Sequence, residues 1–119
     1  MESEKLALEV SATRAGLTPV SPRVLRGVSG VEHSFTLLFS GAGRFYAFDF
    51  YDTVTEVELV RSYAKKFDSK ASVNIVCLGG SVSKEVQSLA SEYEIRILRP
   101  EATENFFALE PLPPRRTFG

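Results

Sequence analysis

The hydrophobic positions near the start of the chain predict an amphipathic helix. In residues 3–17 they recur at spacings of three and four, which places them on one helix face. These positions are Leu6, Val10, Thr13 and Leu17. Ser3 belongs to a residue type that caps helix N-termini, and Gly16 is typical of a helix end.

The next segment predicts a β-hairpin whose second strand is central in a sheet. Pro19 and Pro22 come first. They exclude a helix and disfavour a central strand, so residues 20–28 can form only an edge strand. Two runs of β-branched and aromatic residues then flank the turn SGAG in VEHSFTLLFSGAGRFYAFDFYD. In the second run, large apolar side chains fall on both faces, and Asp49 shares a face with Ala47. We therefore expect helices on both sides of this strand.

The rest of the pattern predicts a parallel section of sheet. Residues 53–67 read as a helix with a capping box at Thr55 and Glu58. Its predicted buried stripe consists of Val57, Val60, Ala64 and Phe67. SVNIVCLGG then reads as a buried strand, SVSKEVQSLASEYE as a helix and IRIL as a short strand. Strand–helix alternation of this kind builds parallel sheets through right-handed crossovers. We predict one α/β domain in residues 1–99.

Composition narrows the class of protein. The chain has 119 residues, 44% of them hydrophobic, with 14 basic and 15 acidic residues and one cysteine. These values are ordinary for one globular domain and exclude an internal disulfide framework. Because the net charge is −1, nucleic acid would have to bind to a local basic patch. Without a signal-like start or a long apolar run, we expect a soluble, cytoplasmic protein with no membrane partner.

The last twenty residues, 100–119, differ from the rest in composition. They contain four prolines, an acidic and aromatic segment, and a basic pair in PLPPRR. The segment reads either as an ordered extension or as a tail. Prolines favour an extended helix that partner domains bind, so a protein-interaction role for this tail is one functional hypothesis.

The order of elements resembles the restriction-endonuclease-like fold, a three-layer domain with a mixed central sheet, which includes archaeal Holliday-junction resolvases and Mrr-type nucleases. GRFYAFDFY looks like the strand that carries this family's acid-x-lysine motif. VEHSFTLL looks like the preceding strand, and NIVCLGGSVSKEVQSLASEYEIRIL is similar to the closing strand–helix–strand. The resemblance covers residues 3–99.

The resemblance implies a metal-dependent nuclease site, but the expected residues are largely replaced. In the family, two acidic side chains bind Mg²⁺ and a lysine acts beside the attacking water. Asp49 matches the second acid, while Thr36 stands at the position of the first acid and Tyr51 at that of the lysine. Neither a threonine hydroxyl nor a phenol supplies the missing charge at neutral pH.

Relocated residues are the alternative. Glu32 on the preceding strand or Glu9 on the first helix could supply a carboxylate, and Lys65 or Lys66 could supply the cation from the following helix. Mg²⁺ is implied under this alternative; otherwise no cofactor is expected.

Two further groups of residues carry candidate chemistry. Arg23, Arg26 and Arg44 have few acidic neighbours in sequence and form the candidate nucleic-acid-binding patch. His33 is the single histidine, and without other soft ligands it does not define a zinc site.

The sequence therefore favours a catalytically inactive nuclease-fold protein that acts as a binding or structural module, with a role in nucleic-acid processing. The candidate partners are a second copy of the chain, a related subunit and nucleic acid. Two alternatives stay open: an active Mg²⁺-dependent endonuclease with relocated residues, and a protein-interaction module that uses the C-terminal tail.

Overall fold

A computed structural model describes residues 1–109 of the chain. The helices are α1 (Glu2–Arg14), α2 (Glu56–Ser69), α3 (Lys84–Glu92), α4 (Phe106–Leu109) and a short 3₁₀ turn (Pro100–Ala102). The strands are β1 (Thr18–Pro19), β2 (Val24–Arg26), β3 (Glu32–Ser34), β4 (Leu37–Gly41), β5 (Arg44–Tyr51), β6 (Ser72–Cys77) and β7 (Arg96–Leu98). None of the helices within residues 1–109 is long and apolar enough to span a membrane.

Five strands form one mixed sheet with the order β1-β4-β5-β6-β7. β4 and β5 are antiparallel, whereas β6 and β7 run parallel to β5. The predicted hairpin and the central position of β5 are therefore confirmed. The turn between β4 and β5 needs positive φ at both central residues, Ala42 at 53° and Gly43 at 75°, which is the twist that two-residue hairpins favour.

One face of the sheet packs against α1 and α4. Leu8 and Ala12 of α1 meet Phe48 and Phe107 in a single buried cluster. α1 ends as predicted, since Gly16 follows it with φ 83°. The predicted face of α1 is wrong, however, because Leu6 is 62% exposed. The predicted cap is also wrong, since the N-cap is Met1 rather than Ser3 and the helix starts two residues earlier.

The other face of the sheet packs against α2 and α3. Leu59 of α2 and Val86 of α3 join Ile75 and Cys77 of β6 in a second buried cluster. The predicted capping box at the start of α2 is confirmed. The predicted buried stripe of α2 is wrong, because all four of its residues are exposed. Helices on both faces explain why β5 is apolar on both sides.

Residues 100–109 add to the core. Phe106 and Phe107 are 5% and 4% exposed, and the rings of Phe106 and Phe48 meet edge to face at 5.2 Å. The backbone N–H of Phe107 also donates to Ser11 Oγ of α1 at 3.2 Å. The first half of the segment set apart at 100–119 is thus packed on the domain. Its second half, with PLPPRR, lies outside the described residues.

β2 and β3 form a separate two-stranded arm. Its tip is bound to the end of α2 through Asp68, which accepts from Ser29 N at 2.9 Å and from Ser29 Oγ at 2.6 Å. His33 Nε2 lies 2.7 Å from the same carboxylate. A methyl group on Gly27 would lie 1.9 Å from this carboxylate, so a side chain there would push Asp68 away from its partners. His33 therefore binds Asp68 and helps to hold the arm against the end of α2.

Candidate functional site

The candidate site is built around Asp49, near the end of β5. Its side chain faces α2, and the residue is 4% exposed. Ser62 Oγ donates to Asp49 Oδ2 at 2.8 Å, and Lys65 Nζ lies 3.1 Å from Asp49 Oδ1. Ser62 and Lys65 are three residues apart and so share one face of the helix. Each carboxylate oxygen therefore has its own donor from α2.

Lys65 is fixed by more than this ion pair. Its ammonium group also donates to the backbone carbonyl of Ser34 at 2.8 Å and lies 5.1 Å from the centre of the Phe35 ring. The lysine thus joins the strand, the helix and the segment between β3 and β4. The positive charge of Lys65 balances the negative charge of Asp49 within the site.

An open cleft of about 310 Å³ lies over this ion pair. Its lining consists of Ser34, Phe35, Thr36, Asp49, Phe50, Tyr51 and Lys65. Thr36 Oγ1 accepts a hydrogen bond from the backbone N–H of Phe50 at 3.1 Å, so its hydroxyl is bound to the backbone of β5. Burial raises the pKa of Tyr51, and the Asp49 carboxylate raises it further, against the opposing effect of a hydrogen bond with Ser62. Tyr51 therefore stays an uncharged phenol at neutral pH.

Four residues were candidates to replace the missing acid and lysine. One of them reaches the site and three do not. Lys65 reaches Asp49, whereas Lys66 Nζ donates to the carbonyl of Tyr93 at 2.6 Å at the end of α3. Glu9 lies on α1, which covers the opposite face of the sheet. Glu32 is exposed on the arm, opposite Arg26 in the strand register, and does not line the cleft.

The residues present do not fit the divalent metal that the family resemblance implies. Mg²⁺ takes an octahedron of oxygen ligands, usually including one or two carboxylates. The cleft offers one carboxylate, both of whose oxygens already accept hydrogen bonds. Within residues 1–109, no three His, Cys, Asp or Glu side chains cluster closely enough to hold a metal ion.

The three arginines of the candidate nucleic-acid patch lie on two parts of the fold. Arg23 and Arg26 are exposed on or beside the arm, and Arg44 is exposed at the start of β5. Arg26 faces Glu32 across the arm, and Asp68 lies at the arm tip. The patch therefore has acidic neighbours that the linear sequence did not reveal, and its binding role stays a prediction.

Sequence reasoning missed Ser62, which donates to Asp49 from a fully buried position. A signal was available, since Ser62 and Lys65 are polar positions three residues apart on the helix that follows the Asp49 strand. The apolar stripe on the other side of this helix predicts a buried face there, and this prediction places Ser62 towards solvent.

Together, these elements define an α/β protein with a mixed five-stranded sheet and helices on both faces. No protein-family model and no curated protein matches the sequence. Among solved structures, the crystal structure of a protein of unknown function, AF1548, has a similar fold, with a TM-score of 0.62 and 16% sequence identity. The match covers 86% of this chain and 60% of that chain. At this identity, the likeness concerns the fold alone.

Proposed function

We propose that this chain is a catalytically inactive relative of restriction-endonuclease-like proteins that acts as a binding or structural module. The observation that carries the proposal is the internal neutralisation of Asp49. Its two carboxylate oxygens accept from Ser62 and Lys65. A dication would have to displace both donors, and the cleft supplies no second carboxylate to compensate.

The ion pair has a structural role under this proposal. Asp49 is buried, and a buried carboxylate is tolerated only when it is paired and hydrogen-bonded. Lys65 supplies that charge and also binds the carbonyl of Ser34, so one side chain joins α2, β5 and the end of β3. The position of Asp49, which matches an acid of the nuclease motif, would here hold the layers of the domain together.

An active nuclease is the second candidate, and one observation favours it. Lys65 brings a cation to Asp49 from the helix, which partly restores the acid and lysine of the family motif. The remaining requirement is a second acidic ligand, and neither Glu9 nor Glu32 lines the cleft. We therefore rank this candidate below the inactive module.

Two measurements test the proposal. Purified protein is incubated with branched, single-stranded and duplex DNA and with RNA, in Mg²⁺ or Mn²⁺, beside the variants Asp49→Ala and Lys65→Ala. We expect the native protein to show no cleavage above a background that is the same in both variants. Titration of Mn²⁺, followed by its electron paramagnetic resonance signal, is expected to show the same weak binding in the native protein and in Asp49→Asn. Cleavage lost in Asp49→Ala would establish the nuclease instead.

A further inference from the structure

The face of α2 that points away from the sheet is apolar and exposed. Phe67 is 65% exposed, Val57 57% and Val60 45%, and Ala64 is exposed beside them. We call these four residues the outer stripe. The buried residues of the helix, including Ser62, lie on its other side. The outer stripe therefore has no role in the domain's own core or in the cleft at Asp49.

The spacing of the outer stripe is the same in both directions along the helix. Its four positions are separated by three, four and three residues. If two copies of α2 pack antiparallel about a twofold axis near position 62, Val57 meets Phe67 of the other copy, and Val60 meets Ala64. Each contact pairs a larger with a smaller side chain, and the small Ala64 lets the helices approach near the axis. The stripe is thus complementary to itself, as an isologous interface requires.

The charges at the two ends of the stripe favour the same arrangement. Glu56 lies in the first turn of α2, and Lys70 caps its C-terminal end, with Lys70 Nζ 4.8 Å from the centre of the Phe67 ring. In the antiparallel pair, Glu56 of one copy lies on the same flank as Lys70 of the other. Opposite charges and opposed helix dipoles then meet at both ends.

The arm places one more exposed apolar residue beside the end of α2. Val28 is 80% exposed, and its backbone N–H donates to the carbonyl of Asp68 at 3.0 Å. Groups of exposed apolar residues are typical of protein-interaction sites.

We propose that the outer stripe binds a second copy of this chain, so that two α2 helices pack antiparallel across a twofold axis. The proposal names the partner and the surface, and it is independent of whether the Asp49 cleft is active. A single helix face is smaller than a standard interface of roughly 800 Å² per partner. We therefore expect a weak dimer with a dissociation constant in the micromolar range.

Sedimentation velocity from about 1 μM to about 1 mM covers the range of weak complexes. We expect the native protein to change from the 13.1 kDa monomer to twice that mass. Val60→Glu places a charge at the centre of the interface and is expected to weaken dimerisation at least about tenfold. Leu6→Glu is the matched control, because Leu6 is also an exposed apolar residue but lies on α1; it is expected to leave the dimer unchanged. Thermal unfolding of each variant confirms that the monomer folds.

The orientation of the helices is tested by cross-linking. In the antiparallel pair Arg61 lies beside Arg61 of the other copy, so Arg61→Cys is expected to form a disulfide dimer under mild oxidation. Glu56→Cys, at the end of the helix, is expected to form no disulfide, and Cys77 is buried. The proposal is overturned if the native protein stays monomeric throughout, if folded Val60→Glu dimerises as well as the native protein, or if Leu6→Glu abolishes association. Cross-linking of Glu56→Cys rather than Arg61→Cys overturns the antiparallel arrangement.

Discussion

Replacing Lys65 with methionine tests how strongly the ion pair stabilises the domain. The substitution keeps most of the length of the side chain and removes its ammonium group. A hydrogen bond to a charged group contributes about 1.5–3 kcal/mol, and removing one partner of a fully buried ion pair costs about 3–5 kcal/mol. Lys65 keeps 24% of its side chain exposed, and Asp49 keeps the Ser62 hydroxyl. We therefore expect a loss of about 2 kcal/mol in the free energy of unfolding.

Urea and thermal unfolding measure this loss, which corresponds to a fall in Tm of roughly 8 °C for a domain of this size. A double-mutant cycle separates the ion pair from the bond between Lys65 and the Ser34 carbonyl. In the Asp49→Asn background, the same lysine substitution is expected to cost about 1 kcal/mol less, because no buried charge is left without its partner.

A coupling energy below about 0.5 kcal/mol between positions 49 and 65 would refute the reasoning, since it would mean that the pair is solvated like a surface ion pair. A second refuting result is a rise in the Tm of the native protein on addition of Mn²⁺ that is absent in Asp49→Asn. That result would show that a dication binds the carboxylate although Lys65 is present.

Three further predictions concern other parts of the fold. The Ser29 hydroxyl and then His33 lower the pKa of Asp68 from 3.8 to about 2, so its stabilising effect is complete above pH 3.8 and is lost as the pH falls through about 2. Asp68→Asn should therefore flatten the acid limb of a urea-unfolding profile across this range; an unchanged limb would contradict the assignment. Phe107→Ala should cost about 3–5 kcal/mol in thermal unfolding, since the ring is buried against the sheet; a cost typical of surface positions would mean that α4 does not belong to the core. Thr55→Ala should cost about 1 kcal/mol through loss of the helix cap, whereas the exposed Thr53→Ala serves as a control with no such loss.

Local signals predicted much of the architecture. The turn SGAG, the capping box at Thr55 and Glu58, and the left-handed glycine after α1 all depend on residues close together in sequence. The alternation of β5 also identified it as central, because apolar side chains on both faces need cover on both sides. These features are decided by steric and hydrogen-bonding preferences that act over a few residues.

Helix faces could not be assigned in the same way. Apolar stripes on α1 and α2 were predicted to be buried, yet Leu6, Val57 and Phe67 are exposed. α1 instead buries Leu8 and Ala12, and α2 buries Leu59 and Ser62. Periodicity shows which residues share a face, but it does not show which face meets the sheet when both carry apolar or small residues.

The candidate site illustrates the same division. The sequence alone determined that Asp49 is the single acid of a strand that is apolar on both faces. Only the tertiary structure decided between Lys65 and Lys66, because one residue along a helix rotates a side chain by about 100°. That rotation takes Lys65 to Asp49 and Lys66 to the end of α3, and it depends on how the helix docks on the sheet rather than on any local preference.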